Sequence, residues 1–382
     1  MGLPSSGRRY FDWAATALPA GGSVPEAGAF GNPSSLHAEG RGARESLERA
    51  RSRCAAALGV KPENLYFSSG GTESNAIAVF SQLFRRGSCL FSAVEHPSVR
   101  ENCRVLERLG RPVGVIPVES GGWVSEAGLV RALEKQPDAR FAAIMAVNNE
   151  TGALNDMAAL SAALRQKRGP SVHLHCDLVQ ALGKAPVDIS AWDLDSASLS
   201  AHKLGGPRGI GILYLKKPLE TLYRGGGQEG GIRPGTENTA GALAMAACLE
   251  EFCPREGLER AWREAAERLD RLIRGLESLG RCRLIPSERR AGGDRRFSPY
   301  ILQAAFSGVP GEVMARALDQ EGFAVSTGSA CSSSKPERPV LEAMGVDPQL
   351  RLEGIRISQG RSTSPEDIDL LIRAAAGVLE YL

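Results

Sequence analysis

Between residues 36 and 60 the chain sets Ala43, Leu47, Ala50, Cys54 and Leu58 at three- and four-residue steps among many charges. That is the period of an amphipathic helix, and Gly59 ends it. Short apolar runs follow: NLYFSS, SCLFSAVEH, FAAIMAVNNE, SVHLHCD, SASLSAH and GIGILYL read as buried strands. Helical stretches such as ESNAIAVFSQLFRR and SEAGLVRALEKQ separate them, and this alternation predicts an α/β fold around a mostly parallel sheet. A long charged helical pattern over about 255–280 then leads into a different rhythm: YILQAAF, a helix GEVMARALDQEG, FAVSTGSA, GIRISQG and a last helix. Ser364 as N-cap, Pro365 at the first helical position and Asp367 three residues after the cap open that helix. A large domain over 12–254 and a smaller α+β domain over 255–382, joined by residues 1–11, are the expected division, with the long helix as linker.

Composition narrows the function classes. A chain of 382 residues exceeds a single small core. Lys+Arg of 46 against Asp+Glu of 44 leaves a net charge of +2, which gives no reason to expect direct nucleic-acid binding. Eight cysteines, at 54, 89, 103, 176, 248, 253, 282 and 331, form no Cys-x-x-Cys pair and no regular framework. That speaks against structural zinc and disulfide scaffolds and for a reducing compartment. The start MGLPSSGRRYFDW has no apolar core for a signal peptide, and no later segment keeps about 18 apolar residues together, so a cytoplasmic protein without membrane spans is expected.

Three stretches carry candidate chemistry. In Ser68-Ser69-Gly70-Gly71-Thr72-Glu73-Ser74-Asn75 an apolar strand gives way to a helix. Glycines there let backbone N–H groups close around an anion, and the helix N-terminus and the Thr72 hydroxyl add to it. It is neither a P-loop nor a dinucleotide fingerprint. In His173-Leu174-His175-Cys176-Asp177-Leu178-Val179-Gln180 a strand ends in polar residues. His173 and His175 fall on one face and could be satisfied locally or ligate zinc, but no further ligand cluster supports a metal, so none is expected. Asp177 and Gln180, three apart, could point into one site. In SAHKLGGP a single lysine, Lys203, sits between an apolar run and a glycine-rich turn.

A phosphate cradle, then an aspartate, then a lysine, in this order, resembles the class V aminotransferase group of fold type I pyridoxal-phosphate enzymes. Within it the chain is similar to cysteine desulfurases. YFDWAAT at 10–16, NPSS at 32–35, EHPSV at 95–99, VNNE at 147–150, GIRPGTEN at 231–238 and GSACS at 328–332 match that family's motifs in order. The similarity runs from about Tyr10 to the end, and GSACS with its long tail resembles the long-loop branch.

The resemblance implies pyridoxal 5'-phosphate as cofactor and L-cysteine as substrate. Lys203 would bond the cofactor aldehyde, and Asp177 would hold the ring nitrogen protonated. His96 would stack on the ring and act in acid/base steps, Gln180 would bond the phenolic oxygen, and Asn149 would contact cofactor or substrate. Gly71, Thr72, Ser200 and His202 would hold the phosphate, with Thr236 reaching the phosphate of a neighbouring subunit in a homodimer. Arg356 would grip the substrate carboxylate. Cys331, in a stretch without apolar period that reads as an exposed loop, would accept sulfur as a persulfide for an acceptor protein, either an iron–sulfur scaffold or a tRNA-thiolation factor. Selenocysteine lysis, transamination, or an inactive binding partner in iron–sulfur assembly are the alternatives, and intact Lys203, Asp177, Gln180, Cys331 and Arg356 weigh against the last. Trp13, Ala17 and Asn155 depart from the family's usual residues, and Trp13 raises a question about substrate entry.

Overall fold

The computed structural model describes residues 8–20, 30–328 and 338–382. Seven strands lie in the order Leu65–Ser68, Gly211–Leu215, Ser196–Ser200, His173–Asp177, Phe141–Ala143, Cys89–Ser92 and Val113–Ile116. From Ser196–Ser200 to Val113–Ile116 all neighbours are parallel. Gly211–Leu215 alone runs antiparallel to the strands on both its sides. His173–Asp177 and Ser196–Ser200 are buried at every position, as befits strands covered on both faces, so their sequences do not alternate. The carboxyl ends Ser68, Asp177 and Ser200 therefore emerge on one edge of the sheet, where α/β proteins place ligands.

The helix predicted over 36–60 spans Ala38–Leu58, and Gly59 closes it in the left-handed conformation (φ 66°). Its apolar positions Leu47, Ala50 and Cys54 join one core with Leu174, Leu199 and Ile212 of the sheet. A second core gathers Leu272, Ile273, Phe306, Ile355, Ile357 and Leu371 with Phe11. It lies around a three-stranded antiparallel sheet of Gly354–Ser358, Ile301–Phe306 and Cys282–Ile285. The helices Arg255–Ser278 and Pro365–Tyr381 contribute to it. Ser364 caps the last helix in a reciprocal capping box with Asp367, as its sequence predicts. Arg9–Tyr10 pairs in parallel with Phe323–Ala324, which ties the start of the described chain to the second core. No helix among the described residues is long and apolar enough to cross a membrane.

Candidate active site

At the sheet's carboxyl edge a cavity of about 520 Å³ opens. Gly70 leaves the first strand with φ 150°, a conformation that favours glycine, and the helix Gly71–Phe80 starts at once. A Cβ added at Gly71 would lie 2.6 Å from Val179 Cγ2. Only glycine lets the helix start pack this close to the turn after Asp177. Thr72, Ser200 and His202 line this cavity together with Gly71, so the start of the helix shares it with hydroxyl and imidazole groups suited to an anion. His202 contacts Thr16 Oγ1 at 3.2 Å, and burial, then Lys203, pushes its pKa down to about 4, so it is neutral at pH 7.

Lys203 ends a tight 3₁₀ turn, Ala201–Lys203, directly after the strand Ser196–Ser200. Its Nζ donates to the carbonyls of Ala14 at 2.5 Å and Ala15 at 2.7 Å. Burial and the nearby Arg356 lower its pKa to about 8, with Asp12 and Asp177 opposing. An amine this close to neutrality is a usable nucleophile and proton carrier.

Asp177 accepts from Val179 N–H at 2.9 Å on one oxygen and from Asn75 Nδ2 at 2.8 Å on the other. Gln180 donates to the Ala14 carbonyl at 2.8 Å and accepts from Lys184 Nζ at 3.1 Å. His96 caps the helix Pro97–Arg108, and its Nδ1 accepts from Ser98 N–H at 3.1 Å. Burial lowers its pKa. The preceding Glu95 is fully buried, accepts from Ser92 Oγ and Met145 N–H, and is pushed up to about 8 by burial, so it is protonated at pH 7.

Arg356 reaches the cavity from the second core. Its strand neighbours Ile355 and Ile357 turn into that core, which aims the guanidinium the other way. Nη2 pairs with Asp12 Oδ1 at 2.7 Å and Nη1 donates to the Asn149 carbonyl at 3.0 Å. A carboxylate ligand would compete with Asp12 for this fork.

The cavity thus gathers Gly71, Thr72, His96, Asn149, Asp177, Gln180, Ser200, His202, Lys203 and Arg356. Thr236 is exposed and lies outside this lining. Cys331 falls outside the described residues, while Gly328, three positions before it, lines the cavity. Every described cysteine has its thiol pushed up by burial, Cys54 and Cys89 to about 12 and Cys248 to about 11. No pattern in the sequence singles out Asp12, Asn75, Ser98 or Lys184. Asp12 and Asn75 both lie inside stretches noted for their motifs, and no spacing rule separates them from structural neighbours. Trp13 is nine-tenths buried, bonds the Tyr10 carbonyl at 3.1 Å and packs so close to Gly360 that a Cβ there would lie 2.0 Å from its ring. It fills space behind the site instead of lining it. Asn155 ties Met145 to Val124, donating to the carbonyl of one and accepting the N–H of the other, both at 2.7 Å.

A lysine at a strand end, an aspartate on the adjacent strand and a glycine cradle on one sheet edge define a fold type I pyridoxal-phosphate enzyme. The chain belongs to the aminotransferase class-V family, whose profile matches residues 9–371, and that family is pyridoxal-phosphate dependent. Its relatives within that family include cysteine desulfurases. "Cysteine desulfurase IscS" of Dictyoglomus turgidum is 36% identical over 386 residues, covering 98% of this chain and 95% of its own. The solved structure of a NifS-like protein superposes with a TM-score of 0.88 at 31% identity, over 98% of this chain and 100% of that one. A second, SspA in complex with cysteine, has a TM-score of 0.75 at 27% identity, over 92% and 98%.

Proposed function

We propose that this chain is a pyridoxal-phosphate-dependent cysteine desulfurase that converts L-cysteine to L-alanine and leaves the sulfur as a persulfide on Cys331. The observation that carries the reading is the meeting in one cavity of Lys203, Asp177 and Arg356, an amine, an acidic partner and a carboxylate fork delivered by three separate strands or turns. The recess fits the cofactor. The Gly71 cradle has room for backbone and none for a side chain, Asp177 offers a carboxylate held by neutral donors, and Lys203 has the lowered pKa a bond to an aldehyde requires.

Gly71, Thr72, Ser200 and His202 would hold the phosphate, Asp177 the protonated ring nitrogen and Gln180 the phenolic oxygen, with His96 on the same cavity wall to serve the ring. When bound, pyridoxal phosphate supplies an electron sink for the bonds at the substrate's α-carbon. Arg356 takes the substrate carboxylate in place of Asp12, and Asn149 borders it. Lys203 and His96 hold and move the protons at the α-carbon and its neighbour. The Cys331 thiolate attacks the substrate sulfur: an S–S bond forms, the C–S bond breaks, and the carbon takes a proton to become the methyl of alanine. The sum is balanced, cysteine plus a thiol giving alanine plus a persulfide. The persulfide then passes to an acceptor protein, an iron–sulfur scaffold or a tRNA-thiolation factor, in the cytoplasm. The enzyme works as a homodimer of two-domain subunits, 12–254 and 255–382 with 1–11, in which Thr236 completes the partner's phosphate site.

The test is Cys331→Ala. Alanine release from cysteine should fall at least about a hundredfold, since the nucleophile is gone, while Cys176→Ala and Cys248→Ala keep most activity. In the wild type, brief exposure to cysteine should add one sulfur to the peptide containing Cys331, and no keto acid should form. Wild-type alanine production by Cys331→Ala would refute the mechanism.

A further inference from the structure

The His-x-His-x-Asp strand has so far contributed only its aspartate. His173 and His175 are buried in the sheet, and their ring nitrogens belong to one continuous set of hydrogen bonds. His173 Nε2 and His175 Nδ1 each lie 2.7 Å from Ser196 Oγ on the next strand. His175 Nε2 lies 2.8 Å from Asn75 Oδ1. Asn75 Nδ2 donates both to Asp177 Oδ2 and to Ser98 Oγ, each at 2.8 Å. Ser98 Oγ lies 2.7 Å from His96 Nδ1.

The bond directions follow from fixed backbone donors at the cavity end and from the neutrality of the two buried imidazoles at the other. Ser98 N–H points at His96 Nδ1, so that nitrogen carries a lone pair and must accept the Ser98 hydroxyl proton as well. Ser98 Oγ is then an acceptor toward Asn75, which puts both Asn75 N–H bonds on the Asp177 and Ser98 side. Val179 N–H marks Asp177 as an acceptor in the same way. Asn75 Oδ1 is left facing His175, so His175 Nε2 carries the hydrogen. Burial pushes His175 and His173 down to about 3, so both are neutral. Neutral His175 presents a lone pair at Nδ1, Ser196 donates to it, and Ser196 accepts from His173 Nε2–H. The Phe141 ring stacks on both imidazoles, at 5.6 and 6.0 Å between centroids, and holds their planes.

We infer that His173, Ser196, His175 and Asn75 form a one-way hydrogen-bond chain that positions two cavity groups at once, Asp177 directly and His96 through Ser98. All its donors point toward the cavity. The chain keeps Asp177 an acceptor without spending a cation on it, and it fixes His96 with its proton on Nε2. Neutral, aligned bonds in a dry interior reinforce one another. These are positioning residues. Their effect on the cofactor rests on the reading of the cavity given above.

Two measurements test this. With only five histidines in the chain, long-range proton–nitrogen spectra of histidine-labelled holoenzyme resolve each ring, assigned by single-histidine variants. Both His173 and His175 should show the neutral Nε2–H form, unchanged from pH 6 to pH 8. An Nδ1–H form or an imidazolium at either position would overturn the chain. The second measurement is the dissociation constant for pyridoxal phosphate. His175→Phe leaves Asn75 Oδ1 unpaired and free to turn, and should weaken retention about tenfold. His175→Gln keeps an N–H at the same reach and should stay within about threefold of wild type. Equal loss in both variants, or none in His175→Phe, refutes the positioning role. Should His175→Phe not fold, Ser196→Ala serves: it should abolish the single-tautomer signals of both rings, and unchanged signals refute the chain. A wild type in which both rings show the Nε2–H form and the cofactor binds, but which releases no alanine, supports the chain and sinks the desulfurase reading.

Discussion

Lys184 and Lys203 are both ammonium groups withdrawn from water, and they differ in what answers the charge. Lys203 faces carbonyls and the acidic side of the cavity. Lys184 is buried against Gln180 Oε1, and burial, then Lys203 and Arg356, lowers its pKa to about 7. The unfolded chain holds that proton up to the ordinary value of 10.5. Between about 7 and 10.5 the unfolded state therefore binds more protons than the native one, so native stability rises with pH across this window. Below pH 7 the burden of the buried charge is fully present. In urea unfolding of cofactor-free protein, wild type should gain stability relative to Lys184→Met on going from pH 7 to pH 9. Parallel profiles for the two proteins would show that the charge of Lys184 is not what the native state opposes.

At the scale of elements, the cradle depends on the strand that feeds it, and that strand is held from outside the sheet. Glu229, in left-handed conformation (φ 47°), accepts Arg51 Nη2 at 2.7 Å and Nη1 at 2.8 Å, and also Phe67 N–H at 2.6 Å. Arg51 comes from the helix Ala38–Leu58 and lies 4.9 Å above the Phe67 ring. One ion pair thus locks the helix, the 228–231 turn and the strand Leu65–Ser68 together just before Gly70. Without Glu229, Arg51 would keep only the exposed Glu48 and the Leu65 carbonyl, and the buried Phe67 N–H would lose its acceptor. Glu229→Ala should cost about 3–5 kcal/mol of stability, read as a drop in the denaturant midpoint, with cofactor lost before global unfolding. A change under about 1 kcal/mol would mean that Arg51 finds water instead.

For the whole molecule, the proposed dimer makes a claim that a single chain cannot satisfy. Thr236 is exposed and absent from its own cavity. If it serves the partner's phosphate, Thr236→Ala should weaken cofactor retention about tenfold, the worth of one charge-assisted hydrogen bond, while leaving the unfolding midpoint near wild type. Sedimentation should give twice the 40.6 kDa chain mass, and dilution to monomer should release pyridoxal phosphate. A fully loaded, stable monomer would contradict the arrangement.

Local patterning alone locates the helix Ala38–Leu58, the strands of the large sheet other than Val113–Ile116, and the capped last helix, because each carries its own helical period, apolar run or cap in adjacent residues. It overran strand ends: in SCLFSAVEH the regular strand is Cys89–Ser92 and in FAAIMAVNNE it is Phe141–Ala143, since an apolar run stays buried after its regular ladder stops. It passed over Thr239–Phe252, a helix with ten buried residues and so no polar stripe to mark its period. It also passed over the short, half-exposed strand Val113–Ile116. The placement of Lys203, Asp177 and the cradle at one sheet edge is legible in ordered motifs, because each sits where a strand meets a turn. What the tertiary structure alone decided was company. Asp12 meets Arg356 across 344 positions, Lys184 meets Lys203 electrostatically, and Asn75 joins His175 to Asp177 across about a hundred. Such partners are chosen by the packing of distant segments, and no local pattern of hydrophobic and polar residues encodes which carbonyl, carboxylate or ring will stand opposite.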